Sequence, residues 1–220
     1  MPNLLLSSLP LAAIAAAALT HPPRPAAPAK VSLDLATLHA AALISPRPSG
    51  AETDAPYLLV SIANGPAGQG SKLPATGHWT IHQDQALGQT PITTLELKPG
   101  ENVKVLLSVL EDHDALADES ATATSASLQL ASKGATTDVV TAALSGLTSR
   151  GAHLLGSATL VISNVNGKVT WNSLDCVATC KVLRGPGAGA DVGAAAVSGV
   201  VQLEGSGATY HMQVAVSSKP

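Results

Sequence analysis

The densest chemistry in this chain lies in LEDHDALADE, Leu110 to Glu119. Five carboxylates and one histidine fall within ten residues of a sequence that is only 12% charged. Carboxylates gathered this way have three uses. They keep a strand end in water, as charge runs commonly do, and that plain reading stands first. They ligate a hard cation, since calcium takes six to eight oxygen ligands. Or a pair of them does acid–base work, as in glycoside hydrolysis. The candidate metal set is Glu111, Asp112, Asp114 and Asp118, with Glu119 on the same loop. Asp54 and Asp191, each beside an expected strand start, join it if their loops meet at the same end. His113 is the nitrogen ligand inside the run, and the run lacks the D-x-D-x-D-G order of an EF-hand.

Other chemistry is thinner. In GHWTIHQD, His78 and His82 would share one strand face but stand about 13 Å apart at strand rise, too far for one ion. Trp79 and Ile81 then point to a core. The two cysteines, Cys176 and Cys180, would also be about 13 Å apart in extended chain, whereas a disulfide needs Cα atoms within about 7 Å, so the chain must turn between them. In an exported protein they read as a loop-closing disulfide at a hairpin tip, with a modest gain for so short a loop. No G-x-S-x-G elbow, HExxH, Walker loop or Rossmann fingerprint occurs, so no catalytic or cofactor-binding residue is assigned. GPGAGADVG, residues 185–193, lacks the Lys and Ser/Thr of a phosphate loop and reads as flexible. A net charge of -3 with no basic run argues against nucleic acid.

The elements that must position these groups are mostly strands. NVKVLLSVL alternates Val103, Val105, Leu107 and Val109 on one face, after a Pro99-Gly100 turn, and reads as a half-buried strand. ATYHMQVAV places Tyr210, Met212, Val214 and Val216 inward with His211 and Gln213 outward, after the turn EGSG. ATLVISNVNGKVTWNSL carries Asn166-Gly167 between apolar alternations, the strongest short hairpin signal. Further strands are expected at 31–38, 57–63, 78–82, 92–97 and 194–203. TTDVVTAALSGLTSRG departs from this period. Its Val140, Ala143, Leu144 and Leu147 fall at helical spacing, with a Thr or Asp cap before and Gly151 as a stop, so a short helix is expected across one end or face. Strands with turn signals and one helix predict an antiparallel β-sandwich, C2-like or immunoglobulin-like in appearance.

Residues 1–20 read as a signal peptide, an apolar stretch from Leu4 to Leu19 without a basic n-region, and 21–30 as a Pro-rich linker. The stretch is short for a membrane span, so the mature chain should have none. The β-sandwich is then 31–220. LLVSIANG at 58–65 and LVISNVNG at 160–167 hint at two related halves, 31–119 and 152–220, joined by the helical segment, although strand-plus-turn vocabulary produces such matches by chance.

Three stretches in order carry a resemblance: ETDAPYLLVSI, then VLLSVLEDHDA, then DVGAAAVSGVVQLEGSGATYHMQVAV. Together they resemble secreted bacterial β-sandwich domains of C2-like appearance and mostly unassigned function, across roughly Leu33 to Val216. The resemblance implies the fold without an activity, and it implies calcium-binding aspartates on loops gathered at one end. Aromatic residues are sparser here, and Asp191 is followed by Val-Gly with no further acid. The expected function is therefore a secreted or periplasmic, envelope-associated module with a binding or structural role and calcium as its candidate metal. Its expected partner is a protein, a glycan or a cell-surface group. The alternative is a secreted hydrolase using Glu111 to Glu119, against which four aromatic residues leave little for a sugar platform.

Overall fold

A computed structural model of the chain describes residues 27–44, 52–64, 67–111 and 137–219. Asp112, His113, Asp114, Asp118 and Glu119, the expected signal peptide and most of the expected linker lie outside them.

The described residues form an antiparallel β-sandwich with one helix. The strands are β1 (Ala29–Ala42), β2 (Thr53–Asp54), β3 (Pro56–Asn64), β4 (Ala67–Leu73), β5 (Ile81–His82), β6 (Ala86–Leu87), β7 (Thr90–Leu97) and β8 (Asn102–Glu111). After helix α1 (Thr137–Thr148) come β9 (His153–Val165), β10 (Lys168–Ala178), β11 (Cys180–Arg184), β12 (Ala190–Asp191), β13 (Val197–Leu203) and β14 (Thr209–Lys219). The first sheet runs β11-β13-β14-β1, and both β6 and β7 pair with the far side of β1. The second runs β12-β10-β9-β8-β3-β4, and β2 pairs with β5 alone. Each six-stranded sheet takes three strands from before α1 and three from after it, so neither expected half is a body of its own. β1 also begins two residues inside the segment read as linker.

One core lies between the sheets. Leu33, Tyr210, Met212 and Val214 of the first sheet meet Val105, Leu107, Leu160 and Trp171 of the second, all fully buried. The indole N–H of Trp171 donates to the Ser173 carbonyl at 2.7 Å, so its polar atom is satisfied in the core. The inward set on β1 is Val31, Leu33 and Leu35, then Leu38 and Ala40. A register shift between Leu35 and Thr37 explains the change of phase, since one extra residue keeps the leucines facing in.

The expected inward residues of β8 and β14 face this core. The β9–β10 hairpin turns at Asn166 and Gly167, both with positive φ (54° and 87°), as the sequence requires. Asn164 holds its base: the side-chain amide donates to the Leu97 carbonyl of β7 at 2.8 Å and its oxygen accepts from Gly167 N at 2.9 Å.

Two expectations need correction. Strand structure in 78–82 is confined to Ile81–His82, which ladders with the two-residue β2 among the described residues, although Ile81 is fully buried and Trp79 packs on the core. More consequentially, β8 is buried on both faces from Val105 to Glu111 rather than half-buried. Its Leu106 and Leu110 meet Tyr57, Leu59 and the helix residues Val140, Leu144 and Leu147 in a second, smaller core. The helix thus lies over the outer face of the second sheet. Its C-terminus closes with Gly151 N bonded to the Thr148 carbonyl (3.2 Å) and Ala152 N to the Leu147 carbonyl (3.2 Å). That is a Schellman closure, and the φ of +105° at Gly151 is one that side-chain-bearing residues avoid.

Candidate functional site

Asp54 and Glu111 come from distant parts of the sequence and meet at one end of the sandwich. Glu111 closes β8, where its register partners are Pro56 of β3 and His153 of β9. Its Oε1 accepts from Ala55 N at 3.4 Å, so the residue next to Asp54 is tied to it. Asp54 sits in β2, where the chain enters β3, and its Oδ2 accepts from the Tyr210 hydroxyl at 2.5 Å and from Ile44 N at 3.4 Å. Both carboxylates are about 1% exposed and Tyr210 is fully buried. Alternation explains the placement: Tyr210 belongs to the inward row of β14, and its hydroxyl reaches past the apolar core to the acid at the rim.

Buried carboxylates persist only when donors replace the lost water. Among the described residues the donors include backbone N–H groups and a phenol, and each also fixes a chain segment. The Asp54–Tyr210 bond fastens the segment before β3 to β14 of the opposite sheet. The Glu111–Ala55 bond fastens it to β8. The acidic run of the sequence leaves from this point, since Asp112 follows Glu111 directly.

The remaining expected ligands separate. Asp191 of β12 pairs with Thr170, Thr170 with Ser163, and Ser163 with Asn102 at the start of β8. Glu111 is at the other end of that ten-residue strand, about 30 Å away at strand rise. Asp191 instead meets Lys168 at 2.7 Å on the exposed surface. Such an exposed pair contributes about 0–1 kcal/mol and is screened by salt. Among the described residues no group of three or more His, Cys, Asp or Glu side chains gathers in a metal-binding arrangement. Asp54 and Glu111 are two carboxylates, fewer than the six to eight oxygen ligands calcium takes, so a complete calcium shell at this end would need further oxygen donors.

His153 leads from the acidic end into a groove of about 440 Å³. Thr141 and Thr148 of α1 form one wall, and Thr179 and Ser206 the other. The groove mixes these hydroxyls and the His153 imidazole with the apolar side chains of Leu144, Ala152 and Leu154, and no Trp or Tyr lines it for stacking against a sugar.

Thr179 belongs to the corner closed by the disulfide Cys176–Cys180, whose Cα atoms are 5.6 Å apart. The turn that the sequence demanded is at Thr179, with a φ of +46°. The corner is not a hairpin tip, however. Cys176 pairs with Ala158 in the second sheet and Cys180 with Leu203 in the first. The disulfide therefore fastens the crossing from one sheet to the other, which the spacing of two cysteines does not reveal. The packing beneath is close: a Cβ on Gly156 would lie 2.8 Å from the Thr179 carbonyl oxygen and 2.9 Å from a Leu203 methyl.

A histidine pair was missed at the sequence level. His39 of β1 stands directly opposite His211 of β14, with ring centroids 5.9 Å apart and planes inclined by 31°. The outward position of His211 was legible from alternation. That of His39 was not, because the strand was expected to end at Leu38 and the register shift inside it moves the outward phase.

Compared with family models and with curated proteins, the sequence matches none. No helix among the described residues is long and apolar enough to cross a membrane.

Proposed function

We propose that this chain is a secreted or envelope-associated, non-catalytic β-sandwich module that binds its partner at the acidic end and does so in a calcium-dependent manner. The observation that carries the reading is the meeting of Asp54 and Glu111 at the strand end from which Asp112, Asp114 and Asp118 depart. Two carboxylates held by Tyr210 and by backbone donors make a rigid, electronegative base. The sequence that continues from that base carries more carboxylates, and a hard cation would be shared between them and the scaffold. Export is supported by the apolar leader and by the Cys176–Cys180 disulfide, because disulfides persist in oxidising compartments. The resemblance to secreted C2-like domains adds to the same reading.

The test is a thermal melt of the protein in EDTA and after calcium is added back. A ligand that binds only the folded state at a hundredfold excess over its Kd stabilises by about 2.7 kcal/mol, several degrees for a domain of this size. The proposal expects a saturable rise with calcium, absent with magnesium and lost in Asp112→Asn and Asp114→Asn. No rise in the wild-type chain would leave the run as a solvated strand end. Turnover of ester or glycoside substrates, lost in Asp112→Asn without a change in melting, would replace the module with a hydrolase.

A further inference from the structure

We propose that His39 and His211 form a two-imidazole site for a late first-row divalent metal ion, copper(II) ahead of nickel or zinc, on the outer face of the first sheet. The two residues are direct register partners on neighbouring antiparallel strands. Such partners hold their Cβ atoms about 4.5–5.5 Å apart, so both rings leave the sheet side by side. Their centroids are already 5.9 Å apart. With nitrogen–metal bonds of about 2 Å, the rings reach one ion by small side-chain rotations and no backbone movement.

The backbone under the pair is held from both sides. β1 pairs with β14 through His39–His211 and with β6 through His39–Ala86. A fixed pair loses little freedom on binding, which is what makes two ligands act as a chelate. The flanking register positions are uncharged: Ala86 beside His39, Gln202 beside His211, and the Thr37–Gln213 pair next along the strands. Lys181 lies one strand further out, opposite Gln202. Among the described residues, no ammonium or guanidinium therefore occupies a register position adjoining the pair. Ala86 is small enough to leave room above His39. Gln202 donates to the Glu204 carboxylate, and water fills the remaining coordination positions.

Donor type selects the ion. Imidazole suits copper, nickel and zinc, and among divalent first-row ions at nitrogen sites copper binds most tightly. Calcium takes oxygen donors, so this site and the acidic end would not compete for one ion. His78 and His82 offer nothing equivalent, since only His82 of the two is in a strand.

The experiment is a titration of the full, untagged chain with copper(II) alone, calcium present throughout, at about pH 7.5 where imidazole is mostly neutral. Calorimetry gives the affinity and electron paramagnetic resonance counts the coordinated nitrogens. The expected result is one equivalent bound through two nitrogens. In His39→Ala and in His211→Ala the affinity should fall about a hundredfold, the avidity lost when one of two linked contacts is removed. His82→Ala should bind as the wild type does. Each variant is melted without metal to separate a lost ligand from a lost fold, and His39→Asn or His211→Asn replaces any alanine variant that melts early. Absence of copper binding, or binding unchanged in either single variant, overturns the site.

Discussion

Leu106 and His211 each stand on the outward side of an interior strand of their sheet, yet Leu106 is fully buried and His211 half-exposed. The difference lies in what covers the strand. Outward residues of β3 and β8 include Tyr57, Leu59, Leu106 and Leu110, and α1 lies over these with Val140, Leu144 and Leu147. Outward residues of β1 and β14 include Asp34, Thr37, His39, His211 and Gln213, and all of these keep contact with water. A sheet with one apolar face is satisfied by one core, whereas a sheet with two must recruit a second layer. The second sheet is thus dry on both sides where α1 covers it, the first is wet on one side, and the wet side is where side chains remain available to a ligand.

The contrast can be broken most forcefully at its dry side. Leu106→Ala leaves a cavity between sheet and helix, and about 2–5 kcal/mol of stability should be lost in a urea melt with an unchanged slope. A loss below about 1 kcal/mol would mean that the helix is not a structural layer. Next in size is the link between the sheets. The double variant Cys176→Ser, Cys180→Ser opens a five-residue loop, and the loop-entropy relation gives about 2 kcal/mol, read as a lower melting temperature that matches the wild type under reducing agent. Gly151→Ala should cost about 1 kcal/mol through the positive φ of the helix closure, with faster amide exchange in the last turn of α1 than in β8. The smallest effect belongs to the wet side. Gln213→Lys should change metal-free stability by less than about 0.5 kcal/mol in the same melt, and a larger loss would show that this face is packed rather than wet.

Legibility followed the same division. Strands whose inward and outward rows differ in polarity, β14 above all, were readable with the identity of the buried residues. So was α1, because its apolar period, its expected layer against the sheet and its glycine stop agreed. VLLSVL was read for one face only, since a continuous apolar run does not say what covers the other. β4, AGQGSKL, escaped notice because glycines and polar residues carry no alternation, and β11 because it is too short to show any. At the candidate site, residue type alone selected Glu111 and Asp54 together with Asp191, and only two of the three share an end.

The sequence by itself determined the class: period-two alternation, an Asn-Gly hairpin and one capped amphipathic helix admit a mainly antiparallel β fold. It also required a turn between the cysteines, because extended chain cannot bring Cys176 to Cys180. These are local matters, governed by backbone sterics and by the period of the apolar residues. Tertiary structure alone decided which strands became neighbours, and with them every long-range pair of interest. Tyr210 reaches Asp54, Glu111 ties the chain beside it, the disulfide bridges two sheets rather than one hairpin, and His39 faces His211. Each pairing depends on register and sheet order, and a single register shift in β1 is enough to move a side chain from one face to the other.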